Sequence, residues 1–383
     1  MPAISNKDNV LTYKGSNFLR QRLLLSTLSG KAVRIIEIRQ LDHEPGLKEF
    51  EVSLIRLLDK VTNGTTVELN ETGTSLYYNP GLLIGGSIEH ECSLQRGIGY
   101  YLEVLMCLGP FCKVPINATL RGITNSPMEI SVDHFKSAGL SLLKRFLVVD
   151  DGLYFKINKR GMRPLGGGEV TFKCPVRKQL RPIQFMTYGK VKRIRGTVYV
   201  CRMSPAFANR MVDTAKGVML KFLPDVYINT DPYKGKEAGK STGFGINLVA
   251  ETNTDVFYSA EQISNVANEG ADLSIPEDLG ESCANKLLDE IFRGGCVDSA
   301  YQYVVALFMA LGQKDVSKFV IGPLSEYTIT FLQHLREFFG VTFKLDHQID
   351  EDDDDENGVS QGADKVILTC IGIGYTNLNK RVL

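Results

Sequence analysis

The sequence predicts an α/β fold: three repeats of one α/β unit, with a smaller α/β domain inserted before the third. Three observations carry this. An apolar-periodic helix that stops at glycine occurs three times, at Gly30, Gly109 and Gly312, and glycine readily takes the positive φ that closes a helix. After each stop come a lysine, a short apolar strand, a loop, a second amphipathic helix and two further strands. The stops are 79 and then 203 residues apart, so the second interval has room for a separate domain.

Element by element, the first unit is expected to hold a helix over 17–28, a strand over 33–38, a turn at Pro45-Gly46, a helix over 48–60 and strands over 66–69 and 75–78. The second repeats this with a helix over 96–108, a strand over 116–120, a loop over 122–126, a helix over 132–146 and strands near 153–157 and 168–172. The third has a helix over 299–311, a strand over 319–321, a loop over 322–327, a helix over 329–339 and strands over 341–345 and 366–369. Strands over 196–201 and 245–251 and helices over 206–222 and 276–293 make up the insert. The expected domains are therefore 1–184, with the first two units, 185–290, the insert, and 291–383, the third unit. The last contains a solvated acidic loop, 350–362, because the run DEDDDDE at 350–356 offers nothing to bury.

Composition excludes several classes. With 43% apolar and 23% charged residues the chain is neither disordered, collagen-like nor a coiled coil. The longest apolar run, 303–311, is far short of the roughly 20 residues that span a bilayer, and the first residues show no secretory pattern, so no membrane association is expected. Eight cysteines lack C-x-x-C or zinc-finger spacing and are expected as buried free thiols in a reducing compartment. The five histidines show no metal-binding spacing and read as ordinary surface or helix residues, so no metal site is expected.

Lys and Arg balance Asp and Glu at 44 each, but not locally. Between Lys156 and Arg195 stand twelve basic residues, among them Lys156, Lys159, Arg160, Arg163, Lys190, Lys192, Arg193 and Arg195, against the single acid Glu169. Such a stretch is expected to form a basic surface for RNA or an acidic partner. Gly235-Lys236-Glu237-Ala238-Gly239-Lys240-Ser241 approximates a phosphate loop but has three rather than four residues between its glycines, and reads as a mobile turn. Leu165-Gly166-Gly167-Gly168 reads equally as an anion contact or a tight turn.

Four landmarks in this order, Gly15-Ser16-Asn17-Phe18-Leu19-Arg20, Ile38-Arg39 with Pro45-Gly46-Leu47, Arg121-Gly122-Ile123-Thr124-Asn125, and Arg163-Pro164-Leu165-Gly166-Gly167-Gly168, give the chain a further meaning. Over nearly its whole length it resembles the RNA 3′-terminal phosphate cyclases, and within them a eukaryotic, catalytically inactive branch. The resemblance implies three units around a pseudo-threefold axis, and phosphate-binding candidates at Arg20, Arg39, Arg121 and Asn125. It also implies where chemistry is lost. Tyr13 stands where the active cyclases carry a glutamate for nucleotide and metal. Tyr327 stands at the histidine that accepts AMP, and Asp42 at a second arginine. A tyrosine has no ring nitrogen to form the phosphoramidate, so no cyclase activity, no catalytic residue and no cofactor are expected. The branch further implies a nuclear, nucleolar factor of the small-subunit processome. It would be required for early pre-rRNA processing and bind pre-rRNA or small nucleolar RNA and a ribosome-assembly GTPase. The competing expectation is an endoribonuclease acting on pre-rRNA; Gln333, His334 and Arg336 are its nearest polar group and read as a solvated helix face.

Overall fold

The computed structural model describes residues 10–266, 273–348 and 362–377; the acidic run expected as a solvated loop lies outside them but for Gly362. The fold is mixed α/β, with four separate four-stranded sheets. In the first, β1 (Leu11–Lys14), β2 (Val33–Ile36), β4 (Thr66–Leu69) and β5 (Leu76–Asn79) lie in the order β1-β2-β5-β4, with α1 (Leu19–Ser29) and α2 (Glu49–Val61) as crossovers. A small ladder, β3 (Thr62–Asn63) with β6 (Leu82–Leu83), follows α2.

The second sheet repeats the pattern as β7-β8-β10-β9, from β7 (Gly85–Glu91), β8 (Val114–Gly122), β9 (Tyr154–Lys159) and β10 (Gly168–Cys174). Its helices are α3 (Gly99–Leu108) and a second one that starts as α4 (Val132–His134), widens into a π turn (Phe135–Gly139) and resumes as α5 (Leu140–Leu147). In both sheets the leading strand is parallel to the second, and the other pairs are antiparallel.

The leading strand of the third sheet, β11 (Gln184–Phe185), is followed in the chain by a complete fourth sheet. That sheet has the order β13-β12-β14-β15, from β12 (Val191–Cys201), β13 (Val226–Tyr233), β14 (Gly243–Thr252) and β15 (Phe257–Ile263), with α6 (Ala206–Met219) and α7 (Pro276–Arg293) on one face. Only then come α8 (Gln302–Leu311), β16 (Val316–Ile321), α9 (Glu326–Phe339), β17 (Lys344–His347) and β18 (Val366–Ile371), which close the third sheet as β11-β16-β18-β17.

Each leading strand escaped the sequence reading for a local reason. β1 has four residues, β11 has two, and β7 (GGSIEHE) alternates polar and apolar around glycines. Helix starts also shifted. Phe18 sits at φ 57, which delays α1 to Leu19, whereas Ser325 caps α9 by accepting the Thr328 amide and brings its start forward to Glu326. Tyr327 therefore lies in the first turn of α9 rather than in a loop.

The core runs through the first helix of each unit. All ten residues of α3 and all ten of α8 are buried, and α3 packs against both α1 and α8. A helix apolar on every side belongs in a core. All eight cysteines are buried and free, and no described helix is long and apolar enough to cross a membrane. Of the five histidines read as surface or helix residues, His134 and His334 lie on helices but are buried, and His90 is buried in β7. The His334 Nδ1–H donates to the Gln21 Oε1 at 2.9 Å, so α9 presents it to α1 and not to solvent.

Candidate functional site

A cavity of about 520 Å³ opens where the N-terminal turns of α1, α2, α3, α8 and α9 converge. Each brings the positive end of a helix dipole. The landmark residues Ser16 to Arg20 form one wall, Arg39 and Glu51 a second, Tyr303 and Tyr327 a third. Helix termini favour an anion here, but the side chains are already charge-matched.

Arg20, in the first turn of α1, reaches Glu103 of α3 at 2.8 Å and donates to the Tyr327 hydroxyl at 3.1 Å. The Tyr303 hydroxyl of α8 donates to the same Glu103. One charged pair thus ties three core helices together, and with Glu103 buried and the Arg20 side chain only 15% exposed, water screens it little. Arg39 forms a two-pronged pair with Glu51, both contacts 2.7 Å, and also donates to the Gly46 carbonyl. Glu51 additionally accepts the Lys48 amide, capping α2. Arg96 pairs with Glu129 at 3.2 Å. Each arginine lining the cavity thus has its own carboxylate.

Tyr327 packs edge-on to Tyr303, with ring centroids 5.1 Å apart, and burial pushes its hydroxyl pKa up against the opposing pull of Arg20. It stays a neutral phenol. Tyr13 is not in this cavity. Its hydroxyl donates to Glu337 at 2.5 Å, its ring stacks with Phe338, and Arg22 lies 4.4 Å from the ring centroid, so it fastens β1 to α9.

Of the four phosphate candidates, the structure brings Arg20 and Arg39 together and separates the others. Arg121 belongs to a cross-strand charge ladder, with Glu169 at 2.8 Å, Glu91 at 3.2 Å and Glu89 at 3.3 Å. Asn125 is buried, donating to Asp133 at 2.7 Å and accepting from Arg160 at 3.1 Å. Sequence reasoning missed Arg96, Glu51, Glu103 and Glu129. A signal was there: a lone glutamate inside GYYLEVLMCL needs a buried cationic partner.

The expected basic surface is corrected at several positions. Arg160 is 1% exposed and forms a two-pronged pair with Asp133, so it belongs to the core. Lys192 and Arg193 share Glu251, each at 2.7 Å, and Arg195 meets Asp225 at 2.7 Å. Four of the twelve cations are thus paired with acids that are distant in sequence. Lys156, Lys159 and Lys190 are exposed, and Arg163 is half-buried.

The two glycine-rich candidates for anion binding meet each other. The Lys240 amide donates to the Gly166 carbonyl at 2.9 Å, and the Leu165 amide to the Ser241 hydroxyl at 3.0 Å. Gly239, at φ +59, approaches so closely that a Cβ there would lie 2.6 Å from the Gly166 carbonyl oxygen. Residues 165–168 form a turn used for contact with the insert's 235–241 segment. Among the described residues no group of three His, Cys, Asp or Glu side chains is placed to hold a metal ion.

Fold repeats, landmark order and this cavity define a class. The sequence profile of the RNA 3′-terminal phosphate cyclase family matches residues 11–345, and the chain belongs to that family. More particularly, it is 61% identical to the probable RNA 3′-terminal phosphate cyclase-like protein of Drosophila melanogaster, over all of both chains. It is 56% identical to the RNA 3′-terminal phosphate cyclase-like protein of Homo sapiens, covering 97% of each. An rRNA processing protein of Schizosaccharomyces pombe is 41% identical, covering 97% of this chain and 98% of the relative.

Proposed function

We propose that this protein is a non-catalytic factor of small-subunit ribosome assembly, acting in early pre-rRNA processing through a cyclase scaffold that has lost its chemistry. The observation that carries this is Tyr327. It occupies the cavity where helix termini converge, hydrogen-bonded by Arg20, and offers a neutral phenol with no nitrogen for AMP. The Schizosaccharomyces pombe relative, an rRNA processing protein, supports the process.

Included in this reading are pre-rRNA or small nucleolar RNA and a processome GTPase as partners, the nucleolus as location, and no cofactor. It also includes three units in pseudo-threefold arrangement, over 1–184 and 291–383, around an insert at 185–290. The shared strand order of three sheets supports the repeat, and α7, which runs to Arg293, carries the insert's last helix past 290. The endoribonuclease alternative gains nothing from His334, which is buried against Gln21 with its pKa pushed by burial down to about 4.

The test is adenylylation. Purified protein incubated with labelled ATP and magnesium should remain unlabelled after denaturation. Tyr327→His should also stay unlabelled, because Arg20 and Arg39 remain tied to Glu103 and Glu51. An acid-labile adduct on the native chain overturns the reading.

A further inference from the structure

The insert's sheet has two unlike faces. Along β12, Ile194, Val198 and Val200 are buried and point to the side where α6 and α7 pack. Arg195 and Thr197 alternate with them and point to the other side. Strand register places Asn229 of β13 and Asn247 of β14 beside Thr197 on that second face. A half-buried sheet face of amides and hydroxyls gives hydrogen-bonding groups, not packing surface.

This face is not simply open to solvent. The second unit's π turn and β9 stand opposite it and enclose a cleft of about 660 Å³. From that wall Lys136 and Lys156 reach into the cleft, both exposed. Among the described residues neither has a carboxylate within ion-pair distance, in contrast with Arg160, Lys192 and Arg195 around them. Phe155, Phe257 and Tyr233 add aromatic surface. The site has two cations outside any ion pair on one side and a floor of mixed donors and acceptors on the other, while the carboxylates in its lining, Asp133, Asp231 and Glu251, are held by Arg160, Lys192 and Arg193.

We propose that this cleft holds a short single-stranded RNA segment, with phosphates on Lys136 and Lys156 and base edges on Asn229 and Thr197. A cleft of this size admits one strand and excludes a duplex. Unstacked bases are the form in which base edges become available to side chains. An acidic peptide would use the lysines and pair its backbone with the amide floor, but only nucleobases also stack on the aromatic rings, so RNA is the better match. The inference rests on the RNA-binding reading above and assigns it a place outside the cavity around Tyr327.

The experiment is a fluorescence-anisotropy titration of the full chain with a short labelled oligouridylate, at several salt concentrations. Three forms are compared: native, Lys136→Glu with Lys156→Glu, and Lys136→Arg with Lys156→Arg. Melting curves check that each is folded. The expected result is at least about tenfold weaker binding by the charge-reversed form, a salt slope smaller by roughly 0.7 for each lost phosphate contact, and near-native binding by the arginine form. If the native chain binds and the reversed form binds equally well, the cleft assignment falls while RNA binding stands. If the native chain fails to bind even at low salt, both fall. If an oligoglutamate peptide displaces the RNA at equal concentration, the occupant is an acidic protein segment and the RNA assignment is overturned.

Discussion

Arg160 shows how much one side chain can carry. It leaves β9 and passes under the Tyr199 ring at 4.1 Å. It ends on Asp133 of the same unit, at 2.5 and 2.9 Å, so the ring of Tyr199 in β12 packs on an ion pair internal to the second unit. Both charges are buried, so each depends on the other. Asp133→Asn should destabilise the protein by about 3 to 5 kcal/mol, because it strands a buried guanidinium, whereas replacing both residues with apolar ones of similar volume should cost much less. Urea unfolding of the two variants checks this; equal losses would show that the pair itself, and not the stranded charge, matters. Glu103 has the same relation to Arg20, which is why the cavity's arginines are structural before they are ligands.

Among elements, the hairpin of β17 and β18 is the clearest case for a test. Its register is set by pairs from Lys344↔Thr369 to His347↔Val366, and the Gln348 amide donates to the Lys365 carbonyl at 3.0 Å. The two strands are thus in register up to the points where the acidic segment leaves and returns. Replacing residues 350–361 with a short Gly-Ser turn should shift the melting temperature little, since loop closure changes by only about 0.6 kcal/mol per doubling of length. A large drop would mean that the acidic segment itself contributes to stability. The Lys156–Arg195 stretch gives the opposite lesson. Reversing Lys192 or Arg193 would break pairs to Glu251, so such variants mix stability with binding, and Lys136 with Lys156 are the cleaner probes.

For the whole molecule, three buried histidines set opposite pH limits. Burial pushes the His134 pKa down, but Asp298 at 2.8 Å more than offsets this and raises it from 6.5 to about 9. Its stabilisation is complete below pH 6.5 and is lost as pH rises through about 9. His90 and His334 are lowered by burial from 6.5 to about 4, so theirs is complete above pH 6.5 and is lost as pH falls toward 4. The contribution of these three histidines to stability should therefore peak near pH 6.5 and decline on both sides, each limb by an amount on the order of 1 to 3 kcal/mol. Denaturant midpoints across that range measure it. His134→Gln should flatten the alkaline limb alone; an unchanged limb in that variant would show that His134 does not titrate there.

The sequence by itself determined the repeated helices, the two helices of the fourth sheet, the buried cysteines and the tyrosine at position 327; of the three glycine stops only Gly30 takes the expected positive φ, while Gly109 and Gly312 close their helices at negative φ. All of these depend on local periodicity or on a residue's own chemistry, which a linear chain displays directly. Tertiary structure alone decided where charge ends up. Twelve cations in one stretch read as a basic surface, yet Asp133, Asp225 and Glu251 arrive from elsewhere to pair with four of them, Glu251 being shared by two. It also decided the leading strands, since two residues at Gln184–Phe185 become a strand only by pairing with Lys318 and Phe319, far along the chain. And it split four phosphate candidates into one cavity pair, one surface ladder and one buried amide. The physical reason is common to all three: pairing energy depends on distance and burial in space, and neither is written into the spacing of residues along the chain.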